Sequence, residues 1–210
     1  MRVLGNNKIW WSVFAVGLLP LFVLAIEIAR HTLGANPIEA VHIRLGDWAL
    51  RFLCMTLAIT PLQAVTQWRG MADYRQLLGV YSWFYSTLHL LAYLTIDQAW
   101  EWQLIGIDLL ESRYLWFGLL AYMIIFLLGM TTSKAAKKAL GRRWKKLHRW
   151  IYLASFAAVM HYFWQLKGNL VEPAFYLSIF SFLMAFRLLV WLKNKQISRL
   201  MIPTGRRHLS

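Results

Sequence analysis

Six stretches of the chain are apolar for long enough to cross a bilayer as helices: about 9–28, 48–68, 76–96, 114–133, 147–166 and 173–192. Asp, Glu, Lys and Arg are nearly absent from them, and the second contains Pro61 while the sixth is interrupted by Arg187. Lipid offers backbone groups no hydrogen-bond partners, so each stretch must satisfy its own as a helix. The sequence therefore predicts an all-α integral membrane protein, a six-transmembrane-helix bundle in which residues 1–210 form one domain. The first stretch follows Arg2 and Lys8, as a secretory signal would. Its length, Trp10, Trp11 and Glu27 set it apart from one, and it is expected to be a span.

Composition agrees with this and excludes other classes. With 59% hydrophobic and only 15% charged residues, the chain is unlike a soluble domain or a disordered segment. The single cysteine, Cys54, rules out a disulfide scaffold and is expected to pack among apolar neighbours. A net charge of +14 would suggest nucleic acid in a soluble protein, but here the bases alternate with the spans. The segment 134–149 holds eight bases and no acid, and the end from Arg187 to Arg207 holds six bases and no acid. With six spans these fall on one side, together with Arg2, Lys8, Arg69 and Arg75. The other side holds eight of the nine acids and only Arg30, Arg44, Arg51, Arg113 and Lys167. The positive-inside rule then makes both termini cytoplasmic, with membrane lipids and no nucleic acid as the expected surroundings. The longest external loop, 97–113, is acidic and is expected to offer a docking surface.

A histidine inside a span is costly without a partner, which makes it a functional candidate. His89 lies eight residues before Asp97 and His161 six residues before Lys167, both on outward-running helices. Both are therefore about 9–12 Å from the outer ends of their spans. Two imidazoles at one depth on two helices can supply both axial ligands of a haem iron. The alternative is that each histidine simply bonds to a neighbouring helix. His148 precedes His161 by 13 residues, about 20 Å along a helix axis, so it cannot serve the same iron. It is a candidate ligand of a second haem or a helix-capping residue, and the position 13 residues before His89 is Gln76. His31 and His42, in the first external loop, and His208, in the tail, are expected to be solvated.

Arg51 and Arg113 open the second and fourth spans on the outer side, where haem propionates would need cations. Arg51 also follows Asp47 by four residues, the spacing of an ordinary helical ion pair, and Arg113 can snorkel. In the basic segment, Arg142, Arg143 and Trp144 are candidates for contact with a flavin or a cytoplasmic donor. An interfacial tryptophan and attraction to anionic lipid are the plainer readings. No catalytic residue stands out, and no P-loop, GxGxxG or metalloprotease motif occurs.

Several stretches together resemble one family. They are Gly34–Ala35–Asn36–Pro37–Ile38–Glu39, LGDWALRF at 45–52 followed by Ile59–Thr60–Pro61, RQLLGVYSWFYSTLHLLAY at 75–93, SRYLWFG at 112–118, GRRWKKLHRWIYL at 141–153 and His161–Tyr162. They are similar to the MsrQ (YedZ) family, haem-binding membrane subunits of bacterial MsrPQ methionine sulfoxide reductase systems, in the ferric reductase-like transmembrane group. The resemblance implies a location in the bacterial inner membrane and b-type haem, with FMN also described for the family. It implies electron transfer from the quinone pool or a cytoplasmic flavin reductase to MsrP, a periplasmic molybdoenzyme that repairs methionine sulfoxide in oxidised proteins. The family's ligand histidines fall on His89, His148 and His161, and its pattern also lacks a histidine at Gln76. The competing expectations are a ferric or cupric reductase of the same fold, or a small proton-coupled transporter using its histidines as relays.

Overall fold

The computed structural model describes residues 8–68, 70–165 and 170–200. Its helices are α1 (Lys8–Ala29), α2 (Pro37–Thr66), α3 (Met71–Ala92), α4 (Trp102–Glu111), α5 (Arg113–Met130), α6 (Lys134–Leu140), α7 (Arg142–Leu147), α8 (Ile151–Gln165) and α9 (Val171–Leu200). A π-helical turn, Tyr93–Asp97, extends α3, and a 3-10 turn, His148–Trp150, joins α7 to α8. Arg2, Arg69, Lys167, Arg207 and His208, used in the charge and histidine arguments, lie outside the described residues.

All six expected spans are helical, but only α1, α2, α5 and α9 combine the length and hydropathy of a membrane-crossing helix among the described residues. The other two are α3 and α8. The first is diluted by Asp73, Arg75, Ser82, Ser86 and Thr87, and the second is 15 residues long. Counted with α7 and the 3-10 turn, the last becomes a helical run from residue 142 to 165.

Local chemistry sets the ends of α2. The Asn36 side chain accepts from the Glu39 N–H at 3.2 Å and donates back to the Glu39 carboxylate at 3.0 Å, while Pro37 occupies the first turn. This N-cap starts the helix eleven residues before position 48, where the hydropathy placed the span. At the far end Gln67 turns left-handed (φ 56°), and its N–H bonds to the Gln63 carbonyl.

α2 packs along α3, α5 along α8, and α3 touches α5, with α9 against α8 and α2. Phe52 stacks on Tyr81 and Tyr85, so α2 and α3 meet at their middles. α1 is held by two phenols: Tyr85 donates to the Gly17 carbonyl at 2.8 Å and Tyr81 donates to that of Phe14. Ala154 and Ala157, fully buried, bring α8 close to its neighbours.

Candidate haem site

His89 near the end of α3 and His161 near the end of α8 come together, their ring centres 6.2 Å apart and their planes at 80°. Both lie near the C-terminal ends of their helices. Each Nδ1 lies within hydrogen-bond reach of a backbone carbonyl on another helix: His89 to His42 at 3.0 Å, His161 to Tyr114 at 2.8 Å. A carbonyl only accepts, so each Nδ1 must be the protonated nitrogen. That leaves each Nε2 as a lone pair, the state in which imidazole binds a metal.

Glycine makes room for both rings. A β-carbon at Gly46 would come 3.1 Å from the His89 ring, and one at Gly118 would come 2.6 Å from Nδ1 of His161. Between the helices lies a cavity of about 750 Å³, lined by both histidines and by Leu50, Leu53, Ala121, Ile125 and Ala158. Its size belongs to the class that encloses a large cofactor. The polar groups in its wall are mostly committed elsewhere: Ser82 donates to the Ala49 carbonyl, Ser86 to that of Trp83, and Tyr93 to Asp108.

Two imidazoles are too few for a bare metal ion. Among the described residues no group of three or more His, Cys, Asp or Glu is placed to hold one. A metal bound here must bring its remaining ligands, as a porphyrin does. The residues present fit a bis-histidine haem.

Residues 45–159 match the family described as ferric reductase like transmembrane component. A protein of Xanthomonas euvesicatoria is 36% identical over 187 residues, covering 86% of this chain and 85% of its own. One of Rhodospirillum rubrum is 35% identical, covering 90% and 91%, and one of Polaromonas naphthalenivorans 37%, covering 85% and 82%. All three are named protein-methionine-sulfoxide reductase heme-binding subunit MsrQ. The chain belongs to the MsrQ family. No solved structure matches it. Membership of this transmembrane family, with four helices apolar and long enough to cross a bilayer, makes it a multi-pass membrane protein.

The other residues singled out from the sequence fall into separate places on this MsrQ-family fold. His148 does not join the histidine pair: its ring stacks on Trp144 at 3.8 Å and its Nδ1 lies 3.2 Å from the Trp144 carbonyl. Gln76 accepts from Lys137 at 2.9 Å. Trp144 donates to the Thr131 carbonyl at 2.9 Å, with the Lys137 ammonium 5.0 Å from its ring, so the indole is pinned and His148 takes a face of it. Arg142 and Arg143 are exposed on α7. Arg51 bonds to Asp47 at 3.2 Å and to Tyr176 at 3.1 Å and lies over Trp48. Asp47 lines the cavity, whereas neither Arg51 nor the exposed Arg113 stands in its wall.

His31 is exposed, as expected, but His42 is not a solvated loop residue. The early start of α2 puts it on a helix, where its ring lines the cavity 5.6 Å from that of His89 and its Nε2 is buried without a partner. The capping sequence Asn36–Pro37–Ile38–Glu39 was the signal that could have placed it there.

Proposed function

We propose that the chain is the haem-binding, electron-transferring membrane subunit of a protein-methionine-sulfoxide reductase system, with one haem b held between His89 and His161. The observation that carries this reading is the pair of imidazoles 6.2 Å apart, each tied through Nδ1 to a carbonyl. The names of the relatives, heme-binding subunits of that system, supply the biological setting. Bound there, the haem supplies a one-electron carrier. The His42 and Tyr114 carbonyls fix the tautomer and orientation of both rings, and aliphatic side chains of α2 and α5 keep water away. With both imidazoles bound to it, a haem iron would have no open coordination position, which would suit electron transfer rather than oxygen binding.

The finer reading is a six-span protein of the bacterial inner membrane with cytoplasmic termini. Electrons come from the quinone pool or a cytoplasmic flavin reductase and leave to periplasmic MsrP. The partition of bases and the family resemblance support it. FMN rests on the resemblance alone, and the exposed Arg142 and Arg143 are the groups that would face an anionic flavin or an acidic donor.

The test is the visible spectrum of detergent-purified His89→Ala and His161→Ala, with helix content checked by circular dichroism. Each should lose haem or turn high-spin. Full haem content with an unchanged low-spin spectrum in both would overturn the assignment.

A further inference from the structure

The segment 97–113 reads as an acidic external loop, yet its centre is α4, a helix with apolar residues on both sides. Inward, Ile105 is buried, and Leu109 lines the cavity beside it. Asp108, one of its acids, is also turned in: it accepts from Tyr93 at 3.0 Å and from Gln98 at 2.6 Å. Outward stand Trp102, Leu104, Ile107 and Leu110, which are 68%, 52%, 50% and 84% exposed. Gln103 is the polar residue among them, and Glu101 and Glu111 sit at the two ends.

A helix in water keeps one apolar stripe for the core and turns polar groups outward. α4 does the reverse on its outer side, and it does so from a fixed position. The π turn ends at Asp97, Ala99 and Trp100 take left-handed backbone (φ 44° and 63°), and the Trp100 N–H bonds to the Leu94 carbonyl at 2.8 Å. This reversal and the Asp108 bonds hold α4 against the cavity.

We infer that α4 lies in the outer leaflet of the membrane, with phospholipid as the partner of its exposed face. The inference rests on the membrane-spanning reading of the chain. Both flanks of α4 are span ends, which places it at interfacial depth. Its outer face continues the exposed apolar surfaces of the adjoining helices, with Leu91 and Ile96 before it and Trp116, Leu119 and Leu120 after it. Trp100 and Trp102, whose ring centres are 5.8 Å apart, are the residue type that settles at the headgroup boundary. Interfacial helices hold by apolar area in this way. α4 is then a wall one helix thick between lipid and the cavity, and a water-soluble electron acceptor must approach the cavity elsewhere on its rim, where Asn36, Glu39 and Asp97 stand.

Spin labels test this in the full chain. Cys54→Ala removes the native thiol, and Gln103→Cys, Ile107→Cys or Leu110→Cys adds one label position at a time. Met123→Cys, on the exposed face of α5, and Lys138→Cys, on basic α6, serve as references. In phosphatidylcholine vesicles, collision with oxygen is compared with collision with a water-soluble nickel chelate. The α4 labels are expected to favour oxygen, as Met123→Cys does. A preference for the chelate matching that of Lys138→Cys would overturn the inference and leave the face free for a soluble protein. A chelate preference at Met123→Cys itself would instead overturn the membrane-spanning reading. Gln103→Cys replaces a polar exposed residue, so the comparison survives if either aliphatic variant folds poorly.

Discussion

Gly118 on α5 faces the imidazole of His161 so closely that a β-carbon would lie 2.6 Å from Nδ1. The ring is held there by the Tyr114 carbonyl, one turn earlier on the same helix. Gly118→Ala should push the imidazole off that carbonyl and out of line with His89. Overpacking of this kind costs about 1–3 kcal/mol. The expected result is a lower haem-to-protein ratio and a high-spin component in the visible spectrum. Gly106→Ala, where an added β-carbon meets nothing within 4 Å, is the control and should leave the spectrum unchanged.

His148 makes the opposite prediction. Its Nδ1 is within reach of a carbonyl like the other two, but its ring is stacked on Trp144, and the matching residue on α3, Gln76, is engaged with Lys137. His148→Ala should keep the haem-to-protein ratio and the low-spin spectrum of the parent. A ratio that falls by half would place a second haem at this end of the bundle.

The helices that face lipid were the easiest to read, because hydropathy is their defining property. α3 and α8 were read in the same way, and His89 and His161 stood out within them because a histidine inside a span is costly without a partner. That both histidines sit near the ends of their helices followed from residue counts alone. The cradle did not: Gly46 and Gly118 are ordinary glycines until the opposing imidazole is known, and the carbonyls of His42 and Tyr114 carry no side-chain signature. His42 was misplaced because hydropathy marks where lipid begins, whereas the Asn36 cap marks where the helix begins. Arg51 was legible as the i,i+4 partner of Asp47, and only packing against α9 added Tyr176.

The partition of charge carries a prediction about orientation. Alkaline phosphatase fused after Gln103 should be active, and fused after Lys138 it should be inactive, because the eight bases of 134–149 resist translocation. The reverse pattern would invert the bundle. It would also put the histidine pair nearer the cytoplasm.

Arg187 interrupts the last span, and the reason lies on another helix. Pro61 of α2 has no N–H, so the carbonyl of Leu57, four residues earlier, has no partner in its own helix. Arg187 donates to that carbonyl from α9, donates again to the Leu183 carbonyl at 2.9 Å, and lies 5.6 Å over the Tyr152 ring. Arg187→Met should leave the Leu57 oxygen unpaired at a cost of about 1–3 kcal/mol, read as a lower unfolding temperature in detergent. Pro61→Ala restores an N–H at the right position, so in that background Arg187→Met should cost far less. If Arg187 served only to anchor α9 at the membrane surface, the two substitutions would add independently, and the double-variant cycle separates these outcomes.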